Sequence, residues 1–166
     1  YGEPSLVRNQ VAQLQSLNLD SNVLLLGNSG LTYTQICIMK DIVSKIHRNS
    51  IKCLYKPHPV EIDSNASIYE SLSLVDSSIP AEFLISNQSI VIGDSSAAMI
   101  YALDQTEALV ISLAKILHAP DSQRFRSSFD FLSSASFTSR LHMPSSISQL
   151  FSIIFSHHSF RTSENN

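Results

Sequence analysis

The feature that most constrains this chain is a rhythm: short, mostly apolar runs alternate with longer stretches in which apolar residues recur every three or four positions. The short runs are Val23-Leu24-Leu25-Leu26 closed by Gly27, Ile51 to Tyr55, Ser89 to Ile92 closed by Gly93, and Glu107 to Leu113. A brief run that is apolar at successive positions and ends on Gly or Pro predicts a strand covered on both faces, because a strand with one wet face would alternate. Between them, Ile36, Met39, Ile42, Val43 and Ile46 predict one buried face of a helix from Thr32 to Arg48. Leu6, Val7, Val11, Leu14 and Leu17 predict an earlier helix. A helix over residues 66–73, a minimal strand at Leu74-Val75, and a helix opened by Pro80 and carrying Glu82, Phe83, Leu84 and Ile85 follow. Asp94 or Ser95 is placed to cap a helix reaching about Leu103. From Ser122 on, the chain reads as helix wrapping back over the sheet. Ile147, Leu150, Phe151, Ile154 and Phe155 share one face there, and residues 161–166 read as a disordered tail.

Strand and helix in alternation predict an α/β fold, a Rossmann-like parallel sheet with helices on both faces. Right-handed crossovers put every strand's C-terminal end on one edge, and ligands of such sheets bind there, beside the point where the strand order reverses. Three polar groups fall at that edge: Asn28-Ser29, Lys56 to His58, and Asp94-Ser95-Ser96. The 166 residues suit one domain, taken as residues 1–160. The chain begins at Tyr1 without an initiator Met and is expected to be a piece of a longer protein.

Composition narrows the function classes. With 43% hydrophobic residues, 15% charged and a net charge of −3, the chain is globular and carries no basic stripe, which speaks against a nucleic-acid partner. No apolar run approaches the roughly 18 residues that a membrane span needs. Cys37 and Cys53 lie inside apolar stretches and read as reduced core residues. The histidines at 47, 58, 118, 142, 157 and 158 show no ligand spacing with Cys or carboxylates, so no metal is expected. Serine is abundant from Ser127 to Ser159, which reads as compositional bias in loops and helix surfaces rather than as a site.

Three short motifs could carry chemistry. Gly93-Asp94-Ser95-Ser96-Ala97-Ala98 joins a strand to a helix, where free N–H groups and the positive end of the dipole favour an anion and two hydroxyls add donors. An ordinary N-cap would look the same. In Tyr55-Lys56-Pro57-His58-Pro59 two prolines hold an imidazole at a strand end, where it can donate to a phosphate or protonate it as it leaves. A packed turn histidine is the plain alternative, and Lys56 is as readily a solvated side chain as a ligand contact. In Ile79-Pro80-Ala81-Glu82 a first-turn carboxylate can accept both hydroxyls of a ribose, or simply complement the helix dipole. A Ser-His-Asp hydrolase lacks its glycine-flanked nucleophile elbow here.

Taken in order, His58-Pro59, Glu82 and Ser95-Ser96 resemble the donor-binding half of bacterial sialyltransferases and capsular polysialyltransferases, which share a His-Pro motif, a ribose-binding Glu and a Ser-Ser or Ser-Thr motif. The resemblance covers roughly Val23 to Val110. It implies the C-terminal, nucleotide-binding half of a GT-B glycosyltransferase and metal-independent, inverting transfer of sialic acid from CMP-sialic acid to a cell-surface glycan, with no cofactor. It also implies that His58, Ser95 and Ser96 hold the donor phosphate, that His58 acts as the acid on the leaving group, and that Glu82 holds the ribose. Gly27, Asn28, Ser29, Lys56, Pro57 and Asp94 are the further expected contacts to nucleotide or sugar. The expected location is cytoplasmic, at the inner membrane face. The acidic, acceptor-activating motif of that family belongs to an N-terminal domain that is expected to be absent from these residues, so the piece alone is expected to be inactive.

Other readings stay open. CDP-glycerol-type polymer phosphotransferases also carry a Lys-x-His-Pro motif and a later Asp-Tyr-Ser-Ser. Lys56-Pro57-His58-Pro59 fits both families, while Asp94-Ser95-Ser96 lacks the tyrosine. A non-hydrolysing sugar-nucleotide epimerase and a non-catalytic sugar-nucleotide-binding module are the remaining alternatives.

Overall fold

A computed structural model describes residues 22–60, 67–136 and 138–164. In chain order the elements are β1 (Val23–Leu26), α1 (Tyr33–Arg48), β2 (Cys53–Lys56), β3 (Ser73–Leu74), α2 (Ala81–Ile85), β4 (Ile90–Gly93), α3 (Ala97–Gln105), β5 (Leu109–Ser112), α4 (Ala114–Leu117), α5 (Gln123–Leu132), β6 (Leu141–His142) and α6 (Ile147–Glu164). The six strands form one sheet in the order β3-β2-β1-β4-β5-β6, and every neighbouring pair is parallel. This is a Rossmann-like, doubly wound α/β fold.

The apolar runs have their reason in the two faces. Val23 and Leu25 of β1 point into a core built with Met39, Ile42, Val43 and Ile46 of α1 and Leu150, Phe151 and Ile154 of α6. Leu24 and Leu26 point the other way, onto Leu84 and Ile85 of α2 and Ala98, Met99, Ala102 and Leu103 of α3. β4 and β5 divide in the same manner, with Ile92 and Ile111 on the first side and Val91 and Val110 on the second. Each such side chain contributes about 1.5–3 kcal/mol when fully buried. β1 and β4, covered on both faces, are accordingly without a polar side chain at any position.

The order reverses between β1 and β4, so the connections leaving these two strands run to opposite faces and a crevice opens between them. Two glycines shape it. Gly30 has φ +67°, the left-handed conformation that the turn after β1 requires. At Gly93 a Cβ would meet Met99 Sδ at 3.0 Å and Leu26 Cβ at 3.4 Å, so its absence lets α3 pack close to the end of β4.

Several expectations are corrected. The region from 67 to 73 is not an α-helix: a single 3-10 turn over 67–69 leads into β3, one residue earlier than predicted. Ile68 and Tyr69 are buried, Tyr69 stacks on Tyr55 at 3.6 Å, and the serines around them favour turns over helix. α3 is capped at Ser96, not at Asp94 or Ser95. The stretch after Ser122 is not all helix, since β6 completes the sheet beside Val110 and Ile111. Phe155 is 44% exposed rather than on the buried face of α6. That helix runs on to Glu164, past the start of the expected disordered tail. Cys53 is buried but Cys37 is exposed, on the outer side of α1. The helix predicted around Leu6 to Leu17 lies outside the described residues. Among the described residues no helix is long and apolar enough to cross a membrane.

Candidate functional site

The loops after β1, β2 and β4 meet at the C-terminal edge of the sheet. Gly27 N–H donates to Lys56 O at 2.8 Å, which ties the first loop to the end of β2. Thr32 then starts α1 through a capping box: its Oγ1 accepts from Gln35 N–H at 3.3 Å, and Gln35 Oε1 accepts from Thr32 N–H at 2.9 Å.

That box fixes the Gln35 amide with its nitrogen facing α4, where Nε2 donates to Leu117 O at 3.0 Å and to His118 Nδ1 at 3.2 Å. With Nδ1 accepting, the imidazole proton sits on Nε2 and is donated to Asp94 Oδ2 at 2.6 Å. Asp94 is thus occupied from behind: its backbone O accepts from Ser112 Oγ at 2.6 Å, and its side chain is 12% exposed. Asp94 lines the cavity described below, but these bonds make it an anchor of the β4–α3 turn, a role the sequence reading did not give it.

Ser95 and Ser96 follow this anchor. Ser95 Oγ lies 3.1 Å from Ser128 Oγ of α5. Ser96 makes no side-chain cap bond, and its hydroxyl is buried without a hydrogen-bond partner. An unsatisfied buried hydroxyl is uncommon in native proteins and suits a group that a ligand completes. Pro57 and Pro59 flank His58 as expected, and His58 Nδ1 accepts from Val60 N–H at 3.2 Å, which leaves Nε2 to carry the ring proton.

Lys56 is not the solvated side chain that one of its sequence readings expected. The residue is 5% exposed, and its ammonium donates to Pro57 O at 3.1 Å and Ser77 O at 2.9 Å. Burial pushes its pKa down, while Asp76 and Glu82 pull it back up. Lys56 thereby staples the loop after β2 to the loop before α2. Within the latter, Asp76 accepts from Ser78 N–H at 2.8 Å and Ser78 Oγ at 2.7 Å, bonds that hold its carboxyl below the usual range. Glu82 sits just beyond, in the first turn of α2.

Two cavities open on this edge. One, of about 550 Å³, is lined by Gly27, Asn28, Ser29, His58, Asp94, Ser95, Ser96 and Ala97, and on its far side by α5. The other, of about 430 Å³, lies between Lys56-Pro57-His58-Pro59 and Ser77 to Glu82. Gly27, His58, Ser96 and Ala97 line both, so the two form one trench with His58 and Ser96 at its joint. All ten residues singled out in the sequence line the trench. The sequence reading missed α5. Arg124, Ser127, Ser128 and Phe131 line the larger cavity at positions i, i+3, i+4 and i+7, one face of that helix, so two of the serines set aside as bias face the cavity. The only signal available was this spacing, and a polar face carries no weight in a search for apolar periodicity.

No protein-family model and no curated protein matches the chain. Solved structures do: two structures of the molybdenum cofactor carrier protein from Chlamydomonas reinhardtii share its fold with TM-scores of 0.55 and 0.56. They are 10% and 8% identical to it, over 84% of this chain and 99% and 98% of theirs. At that identity the likeness establishes the α/β fold alone.

Proposed function

We propose that this domain binds a sugar nucleotide along the trench and is the donor half of a two-domain, GT-B sialyltransferase-like glycosyltransferase that uses CMP-sialic acid. The observation that carries the reading is the joint. A nucleotide sugar joins a nucleoside to a sugar through a phosphate, and the trench joins a 430 Å³ cavity to a 550 Å³ cavity through walls they share, His58 and Ser96 among them. The smaller cavity has apolar walls from Leu26, Pro57, Pro59, Ile79 and Pro80, and Glu82 at its rim, which suits a base and a ribose. The choice of cytosine and of sialic acid rests on the order of His58-Pro59, Glu82 and Ser95-Ser96.

In this reading the bond between the anomeric carbon and the phosphate oxygen breaks with positive charge on the sugar and negative charge on CMP. His58 Nε2–H donates a hydrogen bond to the departing phosphate, and Ser96 Oγ and the first N–H groups of α3 receive it. Preplaced donors of this kind stabilise a developing anion without reorganising. Lys56 and Asp94 hold the loops rather than the ligand. The base that activates the acceptor glycan belongs to the facing domain, as does any association with the inner membrane face.

A second reading is a module that binds without catalysis. The structural neighbours favour it, because the proteins they are named for carry a cofactor. Calorimetric titration of CMP, UMP, CDP and UDP decides on the donor class. Tightest binding of CMP supports a CMP-sugar enzyme, tighter CDP moves the assignment to the CDP-glycerol class, and tighter UDP overturns it in favour of another sugar-nucleotide protein. Transfer of sialic acid to a glycan by the two-domain protein separates enzyme from carrier.

A further inference from the structure

We infer that Arg124 is the residue that selects an acidic sugar, by pairing with a carboxylate on the sugar of the bound donor. The inference rests on the sugar-nucleotide reading above and adds to it a recognition element that none of the sequence motifs contains.

Position is the first argument. Arg124 lines the larger cavity only, not the smaller one and not the joint that they share. If the phosphate sits at the joint, between His58 and Ser96, the group that reaches Arg124 belongs to the sugar. Charge is the second. Arg124 stands in the first turn of α5, where the positive end of the helix dipole disfavours a cation, and no acidic residue shares that turn. Among the described residues no hydrogen bond or ion pair engages its guanidinium. An unpaired arginine placed against a dipole beside two serine hydroxyls, Ser127 and Ser128, forms a donor-rich wall. Asp94 is the one carboxylate among the residues lining this cavity, and its Oδ2 is already held by His118. The planar fork of arginine matches a carboxylate with two parallel, charge-assisted bonds, whereas a neutral hexose offers only uncharged hydroxyls.

Binding to three ligands tests this: CMP, CMP-3-fluorosialic acid, which does not transfer, and the same compound esterified at the sugar carboxylate. Wild type is expected to bind the acid more tightly than the ester. Arg124→Gln should lose about tenfold to a hundredfold on the acid, with CMP and ester affected less than about threefold. Arg124→Lys should fall between them. Arg126→Gln, a change at an exposed arginine in the same helix turn that does not line the cavity, serves as the control and should leave all three affinities in place. Equal losses on CMP and on the acid would make Arg124 a phosphate ligand and overturn the inference, as would equal binding of acid and ester by wild type. Failure of wild type to bind CMP at all would instead remove the sugar-nucleotide reading, and this inference with it.

Discussion

His118 and Asp94 are joined beyond the ends of β5 and β4, Nε2 of one lying 2.6 Å from Oδ2 of the other, with Gln35 fixing the imidazole from behind. The contact links α1, the end of α4 and the β4–α3 turn, three segments distant in sequence. His118→Ala leaves the Asp94 carboxylate short of its partner in a site only 12% exposed. Loss of about 1–3 kcal/mol of stability is expected, since a buried acceptor is then unsatisfied. Urea unfolding measures it. An unchanged midpoint would show that the turn does not depend on this pair.

Changing Ser95 and Ser96 together to Ala is expected to weaken CMP binding by roughly tenfold to a few hundredfold, because each hydrogen bond to a charged group contributes about 1.5–3 kcal/mol and the backbone N–H groups remain. Cytidine, which lacks the phosphate, should bind wild type and variant nearly alike. An equal fall in cytidine affinity would reduce the two serines to parts of a cap and a turn.

Glu82→Ala should remove the discrimination between ribose and dideoxyribose. Wild type is expected to prefer CMP to 2′,3′-dideoxy-CMP, and the variant to bind the two within about threefold of each other, since the carboxylate that accepts the hydroxyls is gone. A preference that survives the substitution would place the ribose elsewhere in the trench.

Fold and site were legible in the sequence to different depths. The central strands were readable because Leu24 to Leu26 and Ile90 to Ile92 are buried on both faces and so leave a continuous apolar signature. The edge strands, two residues each, were read unevenly: β3 was placed one residue late and β6 was missed, because what makes them strands is pairing with Leu54, Tyr55, Val110 and Ile111, which no local pattern records. The polar residues at the strand ends could be grouped because a parallel sheet sends them all to one edge. Their separate roles could not. That Lys56 and Asp94 serve as anchors depends on Ser77 O and His118, neither of which neighbours them in sequence. Nor could local pattern tell that Cys37 faces outward while Cys53 faces the core.

The two thiols should therefore behave differently. Burial pushes the Cys53 thiol from 9.0 up to about 12. Cys37 is expected to react with an aromatic disulfide reagent in the native state, and Cys53 only on unfolding. The same shift sets a pH dependence. The unfolded chain releases the Cys53 proton near 9.0 and the folded chain holds it to about 12, so the residue's contribution to stability is whole below pH 9 and declines above it. Cys53→Ala should flatten that alkaline decline in urea midpoints measured from pH 8 to 10. Two fast-reacting thiols at neutral pH would contradict the buried position.

Residue-resolved NMR during a CMP titration tests the trench most directly. Saturable backbone amide shifts are expected at Gly27, His58, Glu82 and Ser96, the residues of the joint and the nucleoside cavity, with little change in α6. A separate groove of about 410 Å³ lies between His142 of β6 and the α6 residues Gln149, Ser152 and His157. Shifts confined to that groove, or none at millimolar CMP, would contradict a nucleotide site at the C-terminal edge of the sheet.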